Sequence, residues 1–166
     1  MENLFVFLAT SLVLRVTTPR FRRYIVCPGC SSLLNSRART LHIRHTKEGD
    51  KLLFNEYACD GVTYGLVCVQ MQKRYGLDKA ESILMNFMNR VRRPMRILFN
   101  TSMETDVQQH QLTLTDYWQD KAGIDWKVKG YTNGKLIAFL YVKNITDTTV
   151  KNHDAYLNGF RFSAVL

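Results

Sequence analysis

The stretch that decides the fold is residues 124–142, IDWKVKGYTNGKLIAFLYV, in which two strand-like runs flank an Asn-Gly dipeptide. Asn-Gly is a strong hairpin signal, because both residues accept the positive φ angles of a two-residue turn. Pairing the strands outward from such a turn predicts two cross-strand pairs on one apolar face: Trp126 with Tyr141, and Val128 with Phe139. The second strand is apolar on both faces, so we expect it in the middle of the sheet.

A second hairpin is predicted where an Asp-Gly dipeptide joins the β-prone runs 52–59 and 62–69. The register of a two-residue turn gives two cross-strand pairs that each contain a cysteine: Cys59 with Val62, and Cys68 with Leu53. The two cysteines then lie too far apart along the ribbon to bond to each other. Two hairpins in one chain predict a mainly antiparallel sheet.

Residues 78–93 are predicted to form a long amphipathic helix, because apolar residues recur there at steps of three and four. The stripe consists of Ala80, Ile83, Leu84, Phe87, Met88 and Val91. Asp78 with Glu81 three residues later resembles a capping box, and Pro94 prevents the helix from continuing. A shorter C-terminal helix is predicted over residues 152–158.

Between the two helices the sequence predicts a strand at residues 95–99, a polar loop at residues 100–111 and a strand that follows the loop. The predicted fold class is therefore α+β, a mainly antiparallel β-sheet with the long amphipathic helix and the C-terminal helix packed on it.

The composition is that of a globular domain with a basic surplus. The 166 residues carry 23 Lys and Arg against 14 Asp and Glu, a net charge of +9, and 46% are hydrophobic. These values exclude a fibrous repeat and a disordered chain. We expect a basic N-terminal segment at residues 1–45, which is either a targeting or an irregular region, and a single α+β domain at residues 46–166.

An apolar run, LFVFLATSLVL, occupies residues 4–14. It is too short to span a bilayer, which needs about 20 residues, but it has the length of a signal-peptide core. Glu2 before the run and Arg15 after it reverse the usual charge bias of a secretory signal. Two alternatives stay open. The segment either exports the protein or associates it with a membrane, or it forms a buried first strand.

The motifs CPGC at residues 27–30 and HIRH at residues 42–45 together offer two thiols and two imidazoles. Tetrahedral zinc accepts such a set, and small zinc fingers supply it from paired cysteines and paired histidines. The predicted zinc ligands are Cys27, Cys30, His42 and His45, although the histidines are one residue closer together than usual. Nearby arginines would make this a zinc-stabilised nucleic-acid-binding protein. The alternative is an incidental cysteine pair.

Enzymatic activity finds little support in the motifs. A strand, the C-x-x-C turn and a following helix would be the order of a thioredoxin-like protein, with Cys27 as the reactive thiolate. The two hairpins do not belong to that topology, and no nucleophile elbow, zinc-protease motif or phosphate-binding loop is present in the sequence. His110 and His153 are isolated and are predicted to be surface residues. We therefore predict no catalytic residue.

The predicted mode of action is binding, and a protein is the expected partner. The basic N-terminal half leaves nucleic acid or an anionic surface as the alternative partners.

The C-terminal third resembles a known family. It contains TDYWQDKAGIDWKVKGYTNGKLIAFLYV at residues 115–142, a loop, and DAYLNGFRF at residues 154–162. A Trp-bearing β-meander followed by a terminal helix with an aromatic-x-aromatic tail resembles the PsbP-like superfamily, over about residues 50–163. That superfamily includes the extrinsic subunit of the oxygen-evolving complex and many small bacterial lipoproteins. The resemblance implies an antiparallel sheet covered by helices and a non-catalytic accessory or binding subunit, and it assigns no functional residue to this chain.

Overall fold

A computed structural model describes residues 15–16, 20–108, 111–145 and 150–163. Its strands are β1 (Arg15–Val16), β2 (Phe21–Cys27), β3 (Cys30–Asn35), β4 (His42–His45), β5 (Lys51–Cys59), β6 (Val62–Gln70), β7 (Ile97–Gln108), β8 (Gln111–Asp120), β9 (Asp125–Thr132), β10 (Leu136–Lys143) and β11 (Arg161–Phe162). Its helices are α1 (Leu77–Arg92) and α2 (Val150–Leu157). The predicted α+β fold is confirmed in outline, with the antiparallel sheet as its dominant part.

The strands form two sheets. Seven strands of the large sheet follow the order β1-β5-β6-β10-β9-β8-β7, and β4 also pairs with β5. Every pairing in this sheet is antiparallel except that of β1 with β5. The small sheet has the order β11-β3-β2. Strand β10 lies between β6 and β9 with residues 136–142 all buried, so the predicted central strand is confirmed.

The two faces of the large sheet pack against different layers. Helix α1 covers the face that we call the helix side, where the cluster includes Phe54, Leu84, Met88, Trp118, Trp126 and Phe139. The small sheet and α2 cover the opposite face, the small-sheet side, where the cluster includes Leu34, Cys68, Tyr57, Leu140, Tyr156 and Phe160. A sheet buried on both faces explains why β10 has no polar position before its last residue.

The Asp-Gly hairpin confirms its predicted register. Asp60 and Gly61 have φ angles of 50° and 80°, as a two-residue turn with two left-handed residues requires. Cys59 pairs with Val62, and Cys68 pairs with Leu53.

The Asn-Gly hairpin joins the predicted strands, but the predicted pairs are wrong by two residues. The first cross-strand pair is Thr132 with Ile137, and the observed pairs further out are Val128 with Tyr141 and Trp126 with Lys143. The physical reason is Asn133, whose Oδ1 accepts hydrogen bonds from the backbone N–H groups two and three residues ahead, at 3.0 and 2.9 Å. A shift of two residues leaves every side chain on its predicted face.

Helix α1 lies within one residue of the predicted helix at each end, and the inner positions of its stripe are buried. The predicted cap is wrong, because the N-cap residue is Gly76 and no side chain caps the helix. The helix approaches the sheet closely at Gly130 of β9. A Cβ at that position would lie 2.9 Å from Leu84 Cδ1 and 3.0 Å from Met88 Sδ.

Strand β7 contradicts the loop that was predicted at residues 100–111. It pairs with β8 along most of its length and forms the outer strand of the large sheet. Its side chains from Glu104 to Val107 are exposed. An edge strand bordered by water needs no continuous apolar face, so a polar strand there has the composition of a loop.

The basic N-terminal segment expected at residues 1–45 contributes strands β2, β3 and β4, the first of which begins at Phe21. The apolar run at residues 4–14, with its alternatives, lies outside the described residues. Neither α1 nor α2, the helices of the described part, is both long and apolar enough to cross a membrane.

Candidate functional site

The four predicted zinc ligands occupy two separate places. Cys27 and Cys30 are buried at the tip of the β2-β3 hairpin, whereas His42 and His45 are exposed on β4. The ring of His42 stacks on Phe54 at a centroid distance of 5.1 Å, on the helix side of the large sheet. The cysteines lie on the small-sheet side. The structure brings the two thiols together and does not bring the two imidazoles to them. The nucleic-acid interface, which would depend on all four zinc ligands, stays a prediction.

A third cysteine joins the pair instead. Cys27, Cys30 and Cys68 have their Sγ atoms within 4.8 Å of one another, and they are the one metal-capable group of three or more such residues in the described part of the chain. We call these three residues the thiol cluster. The distances are 3.2 Å between Cys27 and Cys30, 4.0 Å between Cys27 and Cys68, and 3.9 Å between Cys30 and Cys68.

Local sequence explains the first two positions of the thiol cluster. Cys27 and Cys30 are cross-strand partners at the end of a tight hairpin, and Gly29 between them adopts a φ of 95° that favours glycine. Cys68 comes from the middle of β6, where Ala138 of β10 is its small neighbour. The predicted register places Cys68 on one face of its hairpin but does not reveal that the small sheet packs there.

The pKa values of the three thiols differ. Hydrogen bonding to Cys30 and then to Cys68 lowers the pKa of Cys27 to about 4, against the opposing effect of burial, and the charge of Lys51 assists. The bond to Cys27 raises the pKa of Cys30 to about 12. The pKa of Cys68 is raised as well, first by its bonds to the other two thiols and then by burial. At neutral pH the cluster therefore favours one thiolate, at Cys27, with two thiols directed at it.

The thioredoxin-like order is wrong for this chain. The C-x-x-C turn leads into strand β3 and not into a helix, so no helix N-terminus faces Cys27.

Two buried carboxylates on the helix side form a second polar cluster. Asp116 accepts hydrogen bonds from Arg92 Nη2 at 2.5 Å and from the indole of Trp118 at 2.6 Å. Asp120 accepts from the indole of Trp126 at 3.1 Å and from two backbone N–H groups of the following turn. Both carboxylates are occupied by donors from the fold itself, which identifies them as structural groups.

His153 was predicted to be a surface residue, and the structure corrects this. It is 1% exposed, and its ring lies 5.9 Å from that of Tyr64. Burial lowers its pKa from the usual value. His110 lies outside the described residues.

Two surface features complete the inventory of candidate sites. The outer strand β7 exposes Leu98, Phe99 and Val107, which we call the β7 edge patch, at 53%, 61% and 61% of their area. A groove of about 340 Å³ lies between α1 and the β4-β5 end of the large sheet. Its apolar wall contains Leu52, Val69, Met71, Ile83, Phe87 and Ile137, and its polar rim contains Thr46, Glu48, Asp50, Tyr75, Asn86 and Arg90.

Comparison with known proteins shows which known fold the chain shares. No family model and no curated protein matches the chain. Among solved structures, the chain is similar to the solution structure of cyanobacterial PsbP (CyanoP) from Synechocystis sp. PCC 6803. That match has a TM-score of 0.52 and 13% sequence identity, and it covers 89% of this chain and 95% of the other. The chain therefore has a PsbP-like fold, as the C-terminal resemblance predicted, and at this identity the likeness is one of fold.

Proposed function

We propose that the protein is a small non-enzymatic accessory domain that acts by binding a protein partner. The PsbP-like fold supports this, since the resemblance implies accessory and binding subunits. The buried polar groups support it too, because the carboxylates of Asp116 and Asp120 are committed to donors within the fold. The observation that carries the proposal is the β7 edge patch.

Strand β7 has the properties of a docking edge. It pairs with β8 on one side, and no other described strand pairs with it. Such an edge presents backbone N–H and C=O groups that a strand from another chain can pair with. Natural edge strands are usually shielded by charge or kept short, but β7 is 12 residues long and exposes Leu98 and Phe99 side by side. Exposed large apolar side chains on an open edge suit an apolar protein surface or an added strand.

Site-specific photo-crosslinking tests this proposal in the cells that make the protein. A photoreactive residue at Phe99 is expected to give a discrete adduct with one protein. The matched control is the same residue at Ile25, which is 80% exposed but lies on β2 of the small sheet. The crosslinked protein is then purified, and its affinity for the wild-type chain is compared with that for Phe99→Lys.

Loss of an apolar anchor of this kind is expected to weaken binding by about tenfold or more. Crosslinking to the same partner from both positions, or equal affinity of the wild type and Phe99→Lys, would show that β7 is not the docking edge.

A finer proposal concerns location. We infer that the apolar run at residues 4–14 exports the protein or holds it at a membrane surface, since its length suits a signal core but not a span. Cell fractionation of the full chain and of a variant with Leu8→Asp tests this. The wild type is expected in the exported or membrane fraction and the variant in the soluble cell contents. The same distribution for both would contradict the inference.

A further inference from the structure

The thiol cluster has the dimensions of a metal site. The three Sγ atoms are separated by 3.2, 3.9 and 4.0 Å and therefore lie on a circle. The centre of this circle is the nearest point that is equidistant from all three atoms. The radius of that circle is about 2.2 Å, and a thiolate binds a metal ion such as zinc at about 2.3 Å. An ion at that point would therefore reach all three sulfur atoms with little movement of the backbone.

Burial and ligand number restrict the kind of ion. Cys27, Cys30 and Cys68 are 4%, 1% and 0% exposed, and no fourth His, Cys, Asp or Glu joins them among the residues that the structure describes. Structural zinc is almost always four-coordinate. Thiolate ligands select copper(I), which as a soft ion suits an all-sulfur site. We propose that Cys27, Cys30 and Cys68 bind one copper(I) ion through three thiolates.

The chemistry of binding balances without any redox step. Because Cys27 is already a thiolate at neutral pH, one copper(I) ion displaces the two thiol protons of Cys30 and Cys68 and forms three copper–sulfur bonds, so the oxidation states of copper and sulfur are unchanged. The complex carries a net charge of −2, which a wholly apolar pocket would disfavour. Lys51 is close enough to favour the Cys27 thiolate and offsets part of this charge.

The hairpin tip is the part of the cluster nearest to solvent. Pro28 and Gly29, which connect the first two cysteines, are exposed, while Cys68 lies beneath them on the large sheet. A small movement of this two-residue turn would open the cluster to an incoming ion. The bound ion would in turn join the small sheet to β6, so copper is expected to raise the thermal stability of the whole chain.

The test uses the full chain, reduced and kept without oxygen. Copper(I), held by a competing chelator, is titrated into the protein, and zinc(II) is titrated in a parallel experiment. We expect one copper(I) per chain, three sulfur neighbours at about 2.3 Å by X-ray absorption, and displacement of zinc by copper. Cys30→Ser and Cys68→Ser are each expected to weaken copper binding on the order of 100-fold.

Cys59→Ser is the matched control, because Cys59 is also buried but its Sγ lies outside the thiol cluster. Its copper affinity should equal that of the wild type. If Cys68→Ser fails to fold, the sulfur count in the wild-type copper complex still decides the question. No binding by the reduced chain, two sulfur neighbours, equal loss in Cys59→Ser, or a zinc complex that copper does not displace would overturn the proposal.

Discussion

The buried carboxylates of Asp116 and Asp120 lie on the helix side of the large sheet, whereas the thiol cluster and the phenols of Tyr57 and Tyr156 lie on the small-sheet side. Each helix-side carboxylate meets specific donors, such as Arg92 and the indole of Trp118 at Asp116. On the small-sheet side the hydroxyls of Tyr57 and Tyr156 have no hydrogen-bond partner among the described residues. A buried carboxylate must be paired, but a phenol or thiol can be buried at a smaller cost. The helix-side carboxylates are thus fixed by hydrogen bonds within the fold, whereas these two small-sheet-side hydroxyls are buried without one in the described part of the chain.

The largest expected effect comes from Gly65, which lets Tyr141 cross β6 and reach the carboxylate of Glu56. A Cβ at this position would lie 2.0 Å from Cζ of Tyr141, and the Tyr141 hydroxyl donates to Glu56. Gly65→Ala is expected to lower the free energy of unfolding by about 3 kcal/mol, because the Tyr141 ring is buried and packs against the rings of Trp126 and Phe139. Urea denaturation measures this.

Gly123→Ala is the control, since no atom lies within 4 Å of a Cβ there and only its φ of 76° is unfavourable. It should cost about 1 kcal/mol. Equal losses at both glycines would show that the contact with Tyr141 is unimportant.

Asp116→Asn tests whether the helix side depends on its charge pairing. Arg92 and Trp118 both donate to Oδ2 of Asp116, and the backbone N–H of Tyr117 donates to Oδ1. An amide removes the charge that pairs with Arg92 and places an NH2 group, which cannot accept, against one of these donors, so we expect a loss of about 2 kcal/mol in the free energy of unfolding. Asp125→Asn, at an exposed position on β9, should change it by less than about 0.5 kcal/mol. A loss at Asp116 no larger than that at Asp125 would remove the distinction between the two sides of the sheet.

A pair of tyrosines sharpens the comparison within the small-sheet side. Tyr131 donates a hydrogen bond to the backbone oxygen of Leu157 at 2.6 Å, whereas the hydroxyl of Tyr57 has no such partner in the described part of the chain. Tyr131→Phe is expected to lower the free energy of unfolding by about 1 kcal/mol, and Tyr57→Phe to leave it unchanged or raise it by about 1 kcal/mol. Thermal and urea unfolding measure both, and a loss in Tyr57→Phe equal to that in Tyr131→Phe would contradict the assignment.

The smallest expected effect is a change in the pH dependence of stability. Burial raises the pKa of Glu56, although the Tyr141 hydroxyl and the charge of Lys143 partly oppose this. Burial would also raise the pKa of Asp120, but the backbone of Ile124, the indole of Trp126, the backbone of Ala122 and the charge of Lys143 together lower it. The two carboxyls therefore contribute to stability with opposite signs.

For Glu56 the stabilising contribution is present in acid and is lost as the pH rises above about 4.3, the value in unfolded chains. For Asp120 it is present above about 3.9 and is lost as the pH falls through the lowered pKa. Urea midpoints between pH 3 and pH 7, an interval of about 4 units that brackets both values, should show this. Glu56→Gln should remove a decline towards neutral pH, and Asp120→Asn should remove a decline in acid. The same slope in all three proteins would contradict both assignments.

Several parts of the fold were predictable because their signals are local. The Asp-Gly turn set the β5-β6 register, the apolar run of β10 indicated a central strand, and the stripe of α1 indicated a helix packed on a sheet. The register of β9 with β10 was wrong by two residues because the side chain of Asn133 enlarges the loop. The first residues of β7 fall in the strand predicted at residues 95–99, but its continuation beyond Phe99 was predicted as a loop because an edge strand can be largely polar.

The thiol cluster could be predicted only in part. Cys27 and Cys30 are neighbours in the chain, so their proximity follows from a short turn. Cys68 is 38 residues beyond Cys30, and its approach depends on the small sheet packing across the large one. The histidines, already one residue closer together than usual, belong to β4, whose pairing with β5 directs His42 to the helix side.

By itself the amino-acid sequence determined the hairpins, the helices and the apolar character of the central strand, because turn geometry and side-chain periodicity act over a few residues. Tertiary structure alone decided which layer covers each face of the large sheet. This packing determines which cysteines come into contact and which aspartates accept hydrogen bonds from an indole or an arginine. These contacts join residues that are distant in the chain, and their formation depends on how whole layers pack.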